Sequence, residues 1–221
     1  MENTYYASRE VSNYYETAPA LGNIGLIYAL GLCPSPYSPY KKPHYIEDLR
    51  QLNRMGIYLT PGGIVNKPRY IFQFFNANTD SYWYQFQPNA IAARKGRAYA
   101  VNYPQYGRVK MLAAGNVFRF YLLASSRVNL PQYVRLGKFM SKARIDWQEI
   151  LFKERTVQNE KVDVLLNPLD IPDDLVIEAF DVINLRPVSL LSNVLATGKV
   201  LKLSDGVILP AKLKFGVDSL D

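Results

Sequence analysis

An α+β fold is predicted for this chain: helices near the N-terminus, a largely antiparallel sheet through the middle and a small β-rich lobe at the C-terminus. Three observations predict it. Apolar residues recur at three- and four-residue spacing over 20–32 and 46–55, then at two-residue spacing in successive segments from 69 to 123. Turn signals rich in glycine, proline and asparagine separate those segments. The 221 residues are 48% apolar, which is ample for a buried core.

The segment ALGNIGLIYALGL at 20–32 sets Leu21, Ile24, Leu26, Ile27 and Leu30 at helical spacing and reads as a mostly buried helix. CPSPYSPYKKP, with Pro34, Pro36, Pro39 and Pro43, is an extended loop, because proline removes backbone donors and interrupts helices and central strands alike. IEDLRQLNRM at 46–55 is a short amphipathic helix with Ile46, Leu49, Leu52 and Met55 on one side and Gly56 at its C-terminal cap. A turn, TPGG at 60–63, follows. Strands are expected at 69–76 (RYIFQFFN), 81–86 (SYWYQF), 98–103 (AYAVNY), 107–113 (GRVKMLA) and 117–123 (VFRFYLL). Turns fall at 76–80 and at Gly115-Asn116, and QPNAIAARKGR at 87–97 reads as the projecting tip of a hairpin. The polar stretch KERTVQNEK at 153–161 has no period and reads as a linker, dividing the chain into 1–152 and 153–221. In the second part DVLLNPLDIP, LVIEAFDVINL and GKVLKLSDGVILPAKLKF alternate apolar runs with turn signals, Asp205-Gly206 among them.

Charge is segregated along the chain. The net charge is +7, but residues 81–145 hold eleven basic side chains and no Asp or Glu, while 146–221 hold eight basic and thirteen acidic ones. Soluble surfaces usually intersperse both signs, so a 65-residue stretch without a carboxylate points to an anionic partner. The single cysteine, Cys33, and single histidine, His44, rule out a disulfide framework and a Cys- or His-rich metal site, and no cofactor is expected. The longest uncharged apolar run, Ile24 to Cys33, has 10 residues, against the roughly 20 a membrane helix needs, so no membrane association is expected. The N-terminus lacks the order of a signal peptide, and a cytoplasmic location is expected.

Within the basic stretch, alternation on 107–113 puts Arg108 and Lys110 on one face of a strand and Val109 and Met111 on the other. The strand 117–123 sets Arg119 and Tyr121 against Phe118, Phe120 and Leu122 in the same way. A cationic, aromatic-bearing sheet face holds phosphates and stacks bases, the chemistry of RNA-binding sheets. In YVRLGKFMSKAR at 133–144, Gly137 stands among Arg135, Lys138, Lys142 and Arg144 and would let a phosphate approach the backbone. It is not a P-loop, since Gln132 and Phe139 occupy positions that need glycine and Ser or Thr. In the aromatic pairs Tyr5-Tyr6, Tyr14-Tyr15 and Trp83-Tyr84, one ring of each pair is expected inside and one outside. The catalytic inventory is thin: the basic region has no carboxylates to hold metal ions, and His44 is the one side chain of a type suited to general acid–base work near neutral pH.

Several strings carry a resemblance to a known family: NTYYASREVSNYYETAP with GNIGLIYALGL, then EDLRQLNRMGIYLTP, DSYWYQF, NYPQYGRVKML and YVRLGKFMSKARI. Together they resemble the type I-D branch of the Cas-five family, the RAMP-superfamily subunit that caps the 5′ end of the guide RNA in CRISPR Cascade complexes. The resemblance implies a ferredoxin-like, RRM-type RAMP domain with a protruding thumb hairpin over about 76–110, plus a small C-terminal β-rich lobe. It implies a non-catalytic role: binding the crRNA 5′ handle, seating the Cascade backbone subunit, adjoining the large Cas-ten-like subunit and helping to check target double-stranded DNA for its PAM. RNA-binding residues are then Arg9, Arg108, Lys110, Arg135, Gly137, Lys138, Lys142 and Arg144, and thumb contacts are Trp83, Tyr84, Arg94, Lys95, Arg97 and Tyr106. Relatives usually carry a first strand ahead of the string at 3–10, and here Met1 stands almost on top of that string, so either the start is placed too late or the first strand is lost. Two alternatives differ in class: a metal-independent endoribonuclease processing the guide precursor through His44, and a purely structural assembly subunit whose positive surface meets acidic proteins.

Overall fold

The computed structural model describes residues 2–11, 13–35, 44–77 and 105–217. In chain order the first elements are β1 (Arg9–Val11), β2 (Tyr14–Glu16), β3 (Ala20–Leu21), α1 (Asn23–Ala29), α2 (Tyr45–Arg54), β4 (Ile57–Leu59), β5 (Gly62–Ile64), β6 (Tyr70–Ala77) and β7 (Gln105–Leu112). Then come β8 (Phe118–Arg119), β9 (Leu122–Ala124), β10 (Tyr133–Leu136), β11 (Ser141–Arg144), β12 (Phe152–Lys161), β13 (Val176–Ile183), β14 (Leu190–Leu203) and β15 (Ile208–Pro210). The architecture is α+β and dominated by strands, as the change of hydrophobic period predicts.

The first sheet has the order β1-β2-β7-β6, parallel only between β2 and β7. Thr4 continues along the same edge, exchanging backbone hydrogen bonds of 2.8 and 3.0 Å with Leu112. The ladder of β6 and β7 runs from Tyr70↔Leu112 to Ala77↔Gln105. The expected strands at 81–86 and 98–103, the tip at 87–97 and most of the proline-rich loop lie outside the described residues.

Three expectations need correction. The helix expected over 20–32 is confined to α1, because Ala20 and Leu21 pair with Gly63 and Gly62, and Gly31 at φ +68° turns the chain out. The turn at 60–63 and the single strand at 117–123 are instead one interrupted ladder. Ile57–Leu59 pairs with 122–124 and Gly63–Ile64 with 118–119, and the register shifts by one residue across Pro61. Proline donates no backbone hydrogen bond, and Thr60 spans the break: its hydroxyl accepts from Tyr121 N–H at 2.9 Å and its own N–H donates to the Tyr121 carbonyl at 2.9 Å. Finally, 153–161 is not a linker but most of β12, paired with β14 from Phe152↔Leu203 to Lys161↔Leu195. Nearly all of its side chains face solvent. The ladder satisfies the backbone whatever the side chains are, so no hydrophobic period marked it.

The main core gathers Leu26 and Ile27 of α1, Leu49 and Leu52 of α2, Leu59 of β4, and Val194, Leu209 and Phe215 from the C-terminal part. Each such side chain contributes about 1.5–3 kcal/mol on burial, so α1, α2 and the C-terminal sheet are held by the same apolar interior. A smaller cluster of Tyr5, Val109 and Met111 lies against the first sheet. Inside the main core sits a polar knot. Asn23 Nδ2 donates to Asp170 Oδ2 at 2.6 Å, the Tyr58 hydroxyl to the same oxygen at 3.0 Å and Gly216 N–H to Oδ1 at 2.9 Å. Asn167 Nδ2 completes it on Asn23 Oδ1 at 3.2 Å. Burial outweighs these bonds and pushes the Asp170 carboxyl up from 3.8 to about 6.

Candidate nucleic-acid interface

The β10–β11 hairpin has two chemically distinct faces because its residues alternate. Val134 and Ser141 are buried, with Leu136 and Ala143 beside them, while Tyr133, Arg135, Lys142 and Arg144 are exposed. The register sets Arg135 directly across from Lys142 and Tyr133 across from Arg144. Like charges in directly opposed positions destabilise a ladder, and here neighbours ease the strain. Arg135 Nη1 donates to the Met140 carbonyl at 3.0 Å, and the Lys142 ammonium lies 4.4 Å from the centre of the Tyr133 ring. Among the described residues, Arg144 is the one of the four whose side chain pairs with a carboxylate, Asp146, at 2.8 Å. A polyanion laid on this face would remove the remaining repulsion.

The turn between the strands is fixed to the N-terminal segment. Gly137 has φ +71°, and a Cβ there would stand 2.3 Å from the Tyr5 carbonyl oxygen. Lys138 N–H donates to that oxygen at 2.7 Å. The close approach that Gly137 permits is thus taken by the chain's own backbone, where the sequence reading had placed a phosphate. Ser141 Oγ donates to the Asn3 carbonyl at 2.6 Å and Lys142 N–H to Glu2 Oε2 at 2.8 Å. This leaves the Lys138 ammonium 5.9 Å from the Tyr5 ring centre and the Phe139 ring 5.1 Å from the same ring.

A second cationic surface lies on the first sheet. The registers put Arg9, Glu16, Lys110 and Phe72 in one row and Tyr14, Arg108 and Phe74 in the next, all on one face. Arg108 lies over Phe74 at 5.2 Å and Lys110 over Tyr70 at 4.1 Å. Lys110 also holds Glu16 at 2.5 Å, a hydrogen bond that raises the lysine's pKa and cancels its charge locally. The alternate residues Val109, Gln73 and Tyr15 face the other way, under Lys138 and Phe139. Lys138 therefore stands on one side of this sheet and Arg108 with Lys110 on the other.

Residues 1–218 match the family described as type I-D CRISPR-associated protein Cas5/Csc1. The chain belongs to this family. Membership makes it a subunit of the type I-D CRISPR Cascade machinery. No curated protein matches it.

In this Cas5/Csc1 family member the predicted site residues divide into two groups. Arg135, Gly137, Lys138, Lys142 and Arg144 come together on one hairpin. Arg9, Arg108 and Lys110 share the outer face of the first sheet. Trp83, Tyr84, Arg94, Lys95 and Arg97 lie outside the described residues, and Tyr106 has a backbone place in β7 opposite Asn76. Arg119 is not part of a cationic sheet face: it stands 3.9 Å from Asp205. Sequence reasoning missed Phe72 and Phe74, 55% and 69% exposed, and Phe139, 57% exposed. The alternation in RYIFQFFN held the signal for the first two, but only the β6–β7 register aligns them with the cations.

The aromatic pairs also depart from expectation. Tyr5 and Tyr6 are both withdrawn from solvent, Tyr5 against Val109 and Met111 and Tyr6 through its hydroxyl to the Ala18 and Ala20 carbonyls. Tyr14 and Tyr15 are both half-buried. His44 occupies the N-cap of α2 and is exposed, without a side-chain capping bond. Burial, then the Asp48 carboxylate, push the Cys33 thiol up to about 12, which leaves it a poor nucleophile at neutral pH. Among the described residues no three His, Cys, Asp or Glu side chains converge as a metal site requires, and no helix is long and apolar enough to cross a membrane.

Proposed function

We propose that this chain is a non-catalytic subunit that binds the 5′ handle of the crRNA, caps the backbone filament and helps form the PAM-reading end of type I-D Cascade. The observation that carries this reading is the outward face of the β10–β11 hairpin. Arg135 and Lys142 are opposed there, Lys138 stands at the turn, and among the described residues none of these three meets a carboxylate within ion-pair range. Cations whose side chains hold no ion pair are what a phosphate backbone neutralises. Rings beside them, Tyr133 and Phe139, suit unpaired bases.

The outer face of the first sheet then serves a second nucleic-acid contact. It lies at the foot of the region read as the thumb, and its exposed Phe72 and Phe74 beside Arg108 favour target DNA at the PAM end. The sheet is read as the central sheet of a ferredoxin-like RAMP domain, with the Cascade backbone subunit and the large Cas-ten-like subunit as protein neighbours in the cytoplasm. Catalysis is not assigned. Metal-independent RNA cleavage needs groups that titrate near neutrality placed at the phosphate, and His44, the chain's single histidine, belongs to α2 and not to the hairpin.

The test is salt dependence. Handle RNA binding should weaken steeply with salt, and replacing Lys138 and Lys142 by Ala should flatten the log–log slope by about 0.7–1 per lost contact. An unchanged slope would remove the hairpin from the interface.

A further inference from the structure

Between the turn of the β10–β11 hairpin and the first sheet lies a concavity of about 390 Å³, lined by Tyr5, Tyr15, Gln73, Val109, Lys138 and Phe139. Its lining combines three kinds of group. Tyr5 and Phe139 approach at 5.1 Å with planes tilted by 35°, and Tyr15 adds a third ring. Gln73 is exposed and, among the described residues, its side-chain amide makes no hydrogen bond, so it offers a donor and an acceptor side by side. The Lys138 ammonium has no carboxylate within ion-pair range among the described residues.

The walls are built, not incidental. Val109, directly across from both Gln73 and Tyr15, forms the floor. The Gly137 backbone holds the turn against Tyr5 through the 2.7 Å bond from Lys138 N–H. Phe139 meets the Tyr5 ring yet stays 57% exposed at the turn, which leaves much of its ring open to a further flat group. An apolar floor, aromatic faces, one amide and one cation are the recognition set for a single unpaired nucleobase and its phosphate: rings stack the base, the amide meets its edge and the ammonium holds the phosphate. Glu10 lies across from Tyr15 in the ladder of β1 and β2, on the sheet face that carries the concavity and near enough to Tyr5 to raise its pKa after burial and Tyr15, so the phosphate belongs at the lysine end.

We infer that this concavity takes one unpaired, splayed-out nucleobase of a single-stranded RNA, stacked on Phe139 and edge-read by Gln73. The inference rests on the handle-binding reading and adds to it a definite subsite, on the sheet face opposite Arg108 and Lys110.

The experiment uses the full chain, alone or in its assembled complex, with handle RNA and a series of the same RNA carrying one abasic nucleotide at a time. One abasic position should weaken binding roughly five- to 150-fold, the ~1–3 kcal/mol given up per stacked base. Phe139→Ala should weaken binding to intact RNA by a similar factor with an unchanged salt slope, and Phe139→Trp should restore it. The two losses should coincide at one position: Phe139→Ala with that abasic RNA should bind no worse than either change alone. Phe139 is exposed at a turn, so its truncation spares the core, and a thermal melt confirms that the variant is folded. Handle binding that is normal in Phe139→Ala, or losses that multiply at every abasic position, would overturn the subsite alone. A wild-type protein that binds no handle RNA would overturn the handle-binding reading and the subsite with it.

Discussion

Arg135, Lys138 and Lys142 stand on the β10–β11 hairpin with their charged ends toward solvent, whereas Asp170 is buried among α1, β4 and the C-terminal tail and takes three hydrogen bonds from the chain itself. Both regions concentrate charge, yet the chain satisfies only one of them. A buried carboxylate must be paired by its own protein or it destabilises the fold. Exposed cations tolerate being unpaired because water screens them, and they keep their full attraction for an outside anion. The difference separates residues that hold the architecture from residues that await a partner, and it predicts which measurement each will move.

The largest effect is expected in the knot. Asp170→Ala leaves the Asn23 amide, the Tyr58 hydroxyl and the Gly216 N–H without their acceptor, and stability should drop by about 3 kcal/mol in urea unfolding. The salt slope of RNA binding should be unchanged; a shift in it would break the contrast between the two regions. The pH dependence follows from the same group. Its folded-state value of about 6 lies above its ordinary 3.8, so the unfolded chain loses this proton first. The contribution is therefore fully present below about pH 4 and is lost as pH rises to about 6, by up to about 3 kcal/mol. Urea titrations across that range should show the decline in the natural chain and its absence in Asp170→Asn.

Gly137→Ala should come next, at about 2 kcal/mol by thermal melting, because both its positive φ and a Cβ 2.3 Å from the Tyr5 carbonyl resist the side chain. RNA affinity should fall with it, since the turn can no longer seat on Tyr5. Gly206→Ala, also at positive φ but with open space around the added carbon, should lose only about 1 kcal/mol and leave binding intact. The smallest effect sharpens the comparison within the cations themselves. Lys110 already holds Glu16, so Lys110→Ala should flatten the salt slope less than Lys138→Ala does, and Glu16→Gln should raise affinity by about two- to threefold. Equal slopes for the two lysines would show that the pairing does not survive when RNA binds.

By itself the sequence determined the α+β class, the α2 helix with its glycine cap, the β6 and β7 strands and the β14–β15 turn at Asp205-Gly206, because local periodicity and turn chemistry specify them. It also determined the alternation that puts Arg108 and Lys110 opposite Val109 and Met111, and the clustering of Arg135, Lys138, Lys142 and Arg144. Tertiary structure alone decided the rest. That Pro61 splits a ladder, that the polar 153–161 stretch is a strand and that Gly137 faces Tyr5 all depend on partners far away in the chain. So does the division of the basic stretch over two sheet faces. Side-chain sign and spacing are written locally, but which charges are cancelled is settled by whichever neighbour the fold brings within a few ångströms, as Glu16 is brought to Lys110.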